Sequence, residues 1–172
     1  MQMKIYKFFL FLLLSSSLTN GQTCLHKNLS KSFNFNLSLK RITESDCEIS
    51  LLIIDKKTNK NIQTIKFSSD FIFEKDYKDC STVRSFSTEI NKKLVAEDND
   101  YGDFIVADFN FDGKEDFAIK KDSGGNGGPF YFYYLQNKKS KFIIDKFLSE
   151  SENVEFFPFI GKNGQIDHHF PV

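Results

Sequence analysis

The chain has 172 residues, and its 23 Lys and Arg residues balance its 23 Asp and Glu residues, so the formal net charge is zero. A chain of this length can bury a core as one domain without a metal or a disulfide to supplement it. The balanced charge provides neither a basic surface for a phosphate backbone nor a polybasic segment for anionic lipid, so nucleic-acid binding and electrostatic membrane binding are not expected. The 21 Phe residues indicate a Phe-rich core.

The N-terminus has the pattern of a secretory signal peptide. Two lysines precede the apolar run 8–14. The small residues Thr19 and Gly21 occupy the −3 and −1 positions of a signal-peptidase cut before Gln22. The run is far shorter than the ~20 residues that a membrane span needs. We therefore predict a signal peptide over 1–21 and one β-rich domain over 22–172, exported to the periplasm, the cell surface or the medium.

Three cysteines, Cys24, Cys47 and Cys80, remain in the predicted mature chain. An odd number in an oxidising compartment predicts at most one intramolecular disulfide. Cys47 with Cys80 and Cys24 with Cys47 are the alternative pairs. Cys24 also permits a lipoprotein alternative, in which cleavage falls directly before this cysteine. None of the spacings is typical of a zinc site or a redox motif, so structural roles are expected.

The first half of the domain is predicted to form strands followed by one helix. Polar and apolar residues alternate over 32–39, which is typical of a half-buried strand. The apolar runs 47–54 and 62–67, separated by a polar turn, predict a hairpin. The spacing of the apolar residues from Val83 to Leu94 predicts a helix, with Ser81 or Thr82 as its N-cap.

The second half returns to a strand pattern divided by short turns. Turn residues at 137–140 and 161–164 indicate two hairpin connections. Many short strands joined by short turns favour a mainly β fold, an antiparallel β-sandwich or open barrel with one short helix. The predicted strands are 104–107, 117–120, 130–136, 141–147, 154–160 and 165–170.

One loop carries a ligand pattern for a metal ion. Its sequence is D-x-N-x-D-G-x-x-D, beginning at Asp108. Oxygen ligands at positions 1, 3, 5 and 9, a backbone carbonyl at position 7 and glycine at position 6 are typical of a wound calcium loop. Position 12 is isoleucine instead of the EF-hand glutamate, and a strand pattern follows, so the loop is expected within a β-hairpin. The predicted calcium ligands are Asp108, Asn110, Asp112, the Lys114 carbonyl and Asp116.

The residues 107–118 resemble the calcium loop of FG-GAP, or integrin-type, repeats, here in one copy. Together with the Gly-rich run 123–128, the aromatic run 130–134 and the segment 141–149, they make the chain similar to a family of exported bacterial proteins. That family includes calcium-binding immunity proteins that inhibit peptidoglycan-hydrolysing toxins delivered by type IV secretion. It resembles in fold the periplasmic inhibitors of invertebrate-type lysozyme, which are β-sandwiches. The resemblance implies calcium binding and inhibition without catalysis.

These patterns predict a non-enzymatic binding protein. Its expected partner is another exported protein, such as a cell-wall hydrolase, and the alternative is a cell-surface adhesion or glycan-binding module. Calcium is expected to pin the hairpin that presents the Gly-rich loop and the aromatic strand, on which Tyr131 and Tyr133 would form a contact patch. The acidic turn 98–103 is expected to be a solvated connection. An enzyme is not expected, because the sequence shows neither a nucleophile paired with a base nor two carboxylates that would share a cleft.

Overall fold

The computed structural model describes residues 21–85, 102–125 and 129–150, and the backbone of two short strands beyond them. Its first sheet is antiparallel, with its strands in chain order: β1 (Gly21–His26), β2 (Phe33–Arg41), β3 (Cys47–Asp55) and β4 (Asn61–Ser69). The second sheet contains β5 (Val83–Ser85), β6 (Phe104–Ala107), β7 (Asp116–Asp122), β8 (Phe130–Gln136) and β9 (Phe142–Ile144). Its pairs are antiparallel except for β5 with β6. The helix α1 (Lys146–Glu150) follows, and β10 (Phe159–Ile160) pairs with β11 (Ile166–Asp167).

The two large sheets stack face to face around a Phe-rich core, so the mainly β prediction is confirmed and the arrangement is a sandwich. The alternation predicted for β2 is correct, because its apolar side chains are all buried and the polar side chains between them are half-buried. Phe35 of β2 contacts Phe104 of β6 with ring centroids 5.1 Å apart, and Phe117 of β7 at 5.9 Å. Apolar side chains of both sheets belong to this one buried cluster.

The outer face of the second sheet is also covered. Tyr131 and Tyr133 are 7% and 5% exposed and pack with Phe109, and Leu148 of α1 lies against the same cluster. The helix is fastened there because Ser149 Oγ accepts the Tyr133 N–H at 3.0 Å. The predicted contact patch of two exposed tyrosines is therefore wrong. The face of β8 that carries Tyr131 and Tyr133 is buried, and α1, which replaces the end of the predicted strand 141–147, packs against it.

One side of the sandwich is closed by a disulfide between Cys24 and Cys80, and Cys47 is a free, buried thiol. One disulfide was expected, but both predicted pairs are wrong. Cys24 pairs with Leu37 across the sheet, and Leu37 pairs with Leu51, four residues from Cys47. Strand spacing and rise then place Cys24 and Cys47 about 16 Å apart, beyond the reach of a disulfide. The bond also uses the Cys24 sulfur that a lipoprotein would modify.

A side-chain amide connects the edge strands β4 and β9 on the other side. Gln63 Nε2 donates to the Phe142 carbonyl at 2.8 Å, and its Oε1 accepts the Phe142 N–H at 2.9 Å. The amide thus makes both hydrogen bonds that a neighbouring strand would make with Phe142. The two sheets are therefore tied along both of their long sides.

The predicted helix that begins near residue 81 is wrong at its start, because Val83–Ser85 is a strand parallel to β6. The remainder of that helix, from residue 86, lies outside the described residues, as do residues 1–20 of the predicted signal peptide. The predicted strands 154–160 and 165–170 are described only at β10 and β11. Within the described part of the chain, no helix is long and apolar enough to cross a membrane.

Candidate metal centre

The predicted calcium loop connects β6 to β7 and is wound around its own polar side chains. Asp108 accepts the Asp112 N–H at 3.1 Å and the Gly113 N–H at 2.8 Å, one on each carboxylate oxygen. Asn110 Oδ1 also accepts the Asp112 N–H, at 3.1 Å. Gly113 has a φ of 82°, in the left-handed region that favours glycine, and Phe111 has a φ of 58°. The sharp turn expected at position 6 is thus present.

Asp116, at the last ligand position, is the fully buried carboxylate of the loop. Its two oxygens accept the Gln136 N–H of β8 at 2.7 Å and the Phe109 N–H at 3.0 Å. Burial raises the pKa of Asp116 to about 6, against the effect of these two hydrogen bonds, and the charges of Asp108 and Asp112 raise it further. Burial is therefore the main reason that ionisation of Asp116 is disfavoured, and the two neighbouring carboxylates add to it.

Lys114 partly neutralises this charge in the structure. Its ammonium group forms a short ion pair with Asp112, and the hydrogen bond lowers the pKa of the Asp112 carboxyl. Asp112 Oδ1 also accepts the Lys114 N–H at 3.0 Å. Among the described residues, no group of three or more Asp, Glu, His or Cys side chains is arranged to hold a metal ion. The five predicted ligand residues thus share one loop between β6 and β7.

Glu115, which the ligand pattern passes over, attaches the loop to the first sheet. Its carboxylate accepts the Ser30 hydroxyl at 2.6 Å and the backbone N–H groups of Lys31 at 2.8 Å and Ser32 at 3.3 Å. These residues form the connection between β1 and β2. No signal in the sequence marks this contact, because the partners lie more than 80 residues apart.

The Gly-rich run begins at the other end of β7 from the predicted calcium loop. A strand of seven residues separates the two by about 20 Å. Ser123 fixes the start of the run, because its N–H donates to the Phe71 carbonyl at 2.8 Å and its Oγ accepts the Phe73 N–H at 2.7 Å. Residues 126–128 lie outside the described residues. The predicted calcium loop is thus held by the β1–β2 connection, and the described start of the Gly-rich run by the segment that follows β4.

The described end of the acidic turn is buried and not solvated as predicted. Asp103 is 2% exposed, and its Oδ1 lies 3.0 Å from Lys120 Nζ. Asp76 Oδ1 lies 3.1 Å from the same ammonium nitrogen. Burial raises the pKa of Asp103, and the charge of Lys120 opposes that rise. We call Asp76, Asp103 and Lys120 the buried ion cluster. Residues 98–101 of the turn lie outside the described residues.

Comparison with protein-family models, with curated proteins and with solved structures found no match for this chain. The fold and the loop by themselves define the class of the protein as a mainly β sandwich with an acidic loop between β6 and β7.

Proposed function

We propose that the chain is an exported protein that binds one calcium ion and acts as a non-enzymatic binding protein. The calcium ligands would be Asp108, Asn110, Asp112, the Lys114 carbonyl and Asp116. These are hard oxygen donors, and three of them carry charge, which is the donor set that calcium prefers. The disulfide is compatible with an exported protein.

The observation that carries the calcium proposal is the state of Asp116. A pKa of about 6 in place of 3.8 means that ionising this carboxyl at neutral pH costs the fold about 3 kcal/mol. A bound divalent ion would stabilise the ionised form. It would also replace the Lys114 ammonium at Asp112, since Lys114 is needed only for its backbone carbonyl. Its role is structural, because Asp116 joins the loop to β8 and Glu115 joins it to the β1–β2 connection.

The calcium test is a thermal unfolding series with excess calcium and with chelator. Calcium at 100 times its dissociation constant should stabilise the wild type by about 2.7 kcal/mol, which corresponds to a rise in Tm of roughly 5–10 °C. Asp112→Asn removes one charged ligand but keeps an acceptor for the Lys114 N–H, so it should fold and lose most of this shift. Lys114→Met keeps every ligand and should retain it. An unchanged wild-type midpoint, or equal losses in the two variants, contradicts the site.

The proposed partner is another exported protein, with a cell-wall hydrolase as the leading candidate. The support is the similarity of the loop and the segments after it to the family that contains immunity proteins. The test mixes the purified protein with peptidoglycan hydrolases and measures residual lytic activity with calcium and with chelator. Inhibition that tracks the calcium state in the wild type, but is lost in Asp112→Asn, supports the proposal. Full residual activity with every hydrolase contradicts this partner class.

A second candidate function is glycan binding, which one surface feature favours. A groove of about 590 Å³ crosses the outer face of the first sheet, lined by small polar and charged side chains that include Ser38, Ser50, Lys66 and Glu48. A glycan array tests it, with Ser50→Arg to fill the groove and Thr64→Arg, outside the groove lining, as the matched control. Binding that only the groove variant loses would favour this function over inhibition. Binding to no glycan would exclude it.

A further inference from the structure

The buried ion cluster has the composition and geometry of a condensation site. Lys120 is 1% exposed, and Nζ lies within 3.1 Å of a carboxylate oxygen of each aspartate. Asp103 directly precedes β6 and lies beside Lys120 of β7, since the Lys120 N–H donates to the Asp103 carbonyl at 2.9 Å. The two side chains are therefore already in contact between hydrogen-bonded backbone segments.

We propose that Lys120 and Asp103 form an intramolecular isopeptide bond in the folded protein. The Lys120 nitrogen attacks Cγ of Asp103, and the bond between Cγ and Oδ1 breaks. Of the three protons of the ammonium group, one remains on the amide nitrogen and two leave with Oδ1 as water. The ammonium and carboxylate charges disappear together, so the reaction balances without a cofactor, oxidant or other reactant.

Asp103 is assigned as the electrophile because its second oxygen has the better hydrogen-bond donors. Oδ2 accepts the Tyr77 N–H at 2.7 Å and the Thr82 hydroxyl. Donors placed at this oxygen stabilise the negative charge that develops on it when the nitrogen attacks Cγ. The corresponding oxygen of Asp76 accepts the Ser123 hydroxyl, and Asp76 lies in a turn after β4, whereas the Asp103 carbonyl is bound to the Lys120 N–H.

Asp76 is assigned as the group that moves the proton. Its Oδ1 contacts the attacking nitrogen, so it can take a proton from the ammonium and return one to the leaving oxygen. Burial favours the neutral amine and the neutral acid over the ion pair, and the raised pKa of Asp103 agrees with that preference. The site is thus built to convert a costly buried ion pair into an uncharged bond.

The intact mass of the purified, fully reduced and denatured protein tests the proposal. The wild type should be lighter than its sequence by the mass of one water molecule, and Lys120→Met should have its full sequence mass. Lys121→Met is the matched control. This adjacent lysine donates to the Ser149 carbonyl at 2.7 Å instead, so the variant should keep the deficit. A wild type at full mass overturns the proposal, and so does a deficit that persists in Lys120→Met, because an aspartyl succinimide elsewhere would explain it.

Trypsin digestion locates the bond. Residues 94–114 and 115–121 should be recovered as one branched peptide with two amino termini, whereas an uncut linear peptide has one. Asp76→Asn should fold with the cluster largely intact and should leave most molecules at full mass. If Asp76→Asn forms the bond as completely as the wild type, the role assigned to Asp76 is wrong. If the peptide joins Lys120 to any residue other than Asp103, the proposed bond is wrong.

Discussion

The disulfide between Cys24 and Cys80 should supply a large part of the stability of this sandwich. It joins β1, at the edge of the first sheet, to the segment that enters β5, at the edge of the second, across a sequence separation of 56 residues. Closing a loop of this length restricts the unfolded chain, which corresponds to about 4 kcal/mol by the chain-entropy relation. Replacing both cysteines by alanine should therefore lower the free energy of unfolding by about that amount.

Equilibrium urea denaturation measures this loss, and Cys47→Ala is the control. Cys47 is 1% exposed and unpaired, so its truncation should cost only about 1–2 kcal/mol of packing. A thiol titration of the denatured, unreduced wild type should find one free thiol, and Cys47→Ala should have none. If the double variant is as stable as the wild type, or if Cys47→Ala still shows a free thiol, the pairing argued here is refuted.

The remaining predictions concern ties between elements and one titratable group. Gln63→Leu removes both hydrogen bonds to Phe142 and should lower the free energy of unfolding by about 1–3 kcal/mol in urea. Gln63→Glu keeps the acceptor for the Phe142 N–H but sets a carboxylate oxygen against the Phe142 carbonyl, so it should not restore the lost stability. Glu115→Ala removes the acceptor of the Ser30 hydroxyl and should increase hydrogen exchange of the backbone amides over 30–33. Unchanged exchange would contradict the role of Glu115 in attaching the loop to the β1–β2 connection. Burial lowers the pKa of His26 below 6.5, so stability should fall as the pH drops below 6.5. His26→Phe should reduce that fall, and an equal fall in both proteins refutes it.

The strands could be predicted from the sequence wherever a period of two is carried by five or more residues. β2 satisfies this condition, and its buried face was correctly identified. β5 does not, because it has only three residues and exists through its parallel pairing with β6. The helix α1 was missed because its apolar residues continue those of β9. Its start depends on Asp145, which accepts the Leu148 N–H at 2.9 Å.

The candidate site divides in the same way between local and tertiary features. The spacing from Asp108 to Asp116 is local, so the sequence places all five predicted ligands in one loop. The pairing of Lys114 with Asp112 is also local, but the ligand pattern assigns only the Lys114 backbone. The buried ion cluster joins a turn, the residue before β6 and a residue of β7. The local sequence therefore led to Asp103 being predicted as part of a solvated turn. Contacts of this kind follow from the fold and leave no periodic pattern in the chain.

The position of the predicted calcium loop changes where the proposed calcium-dependent partner is expected to bind. The described start of the Gly-rich run lies at the far end of β7, where Ser123 is bound to Phe71 and Phe73. Glu115, in contrast, connects the loop directly to the β1–β2 turn, and Asp116 connects it to the end of β8 at Gln136. Ordering of the loop by calcium should therefore stabilise the surface that these two connections share. A partner that requires calcium should protect residues 28–32 and 108–115 from hydrogen exchange, and protection confined to 123–125 would contradict a role for the loop in recognition.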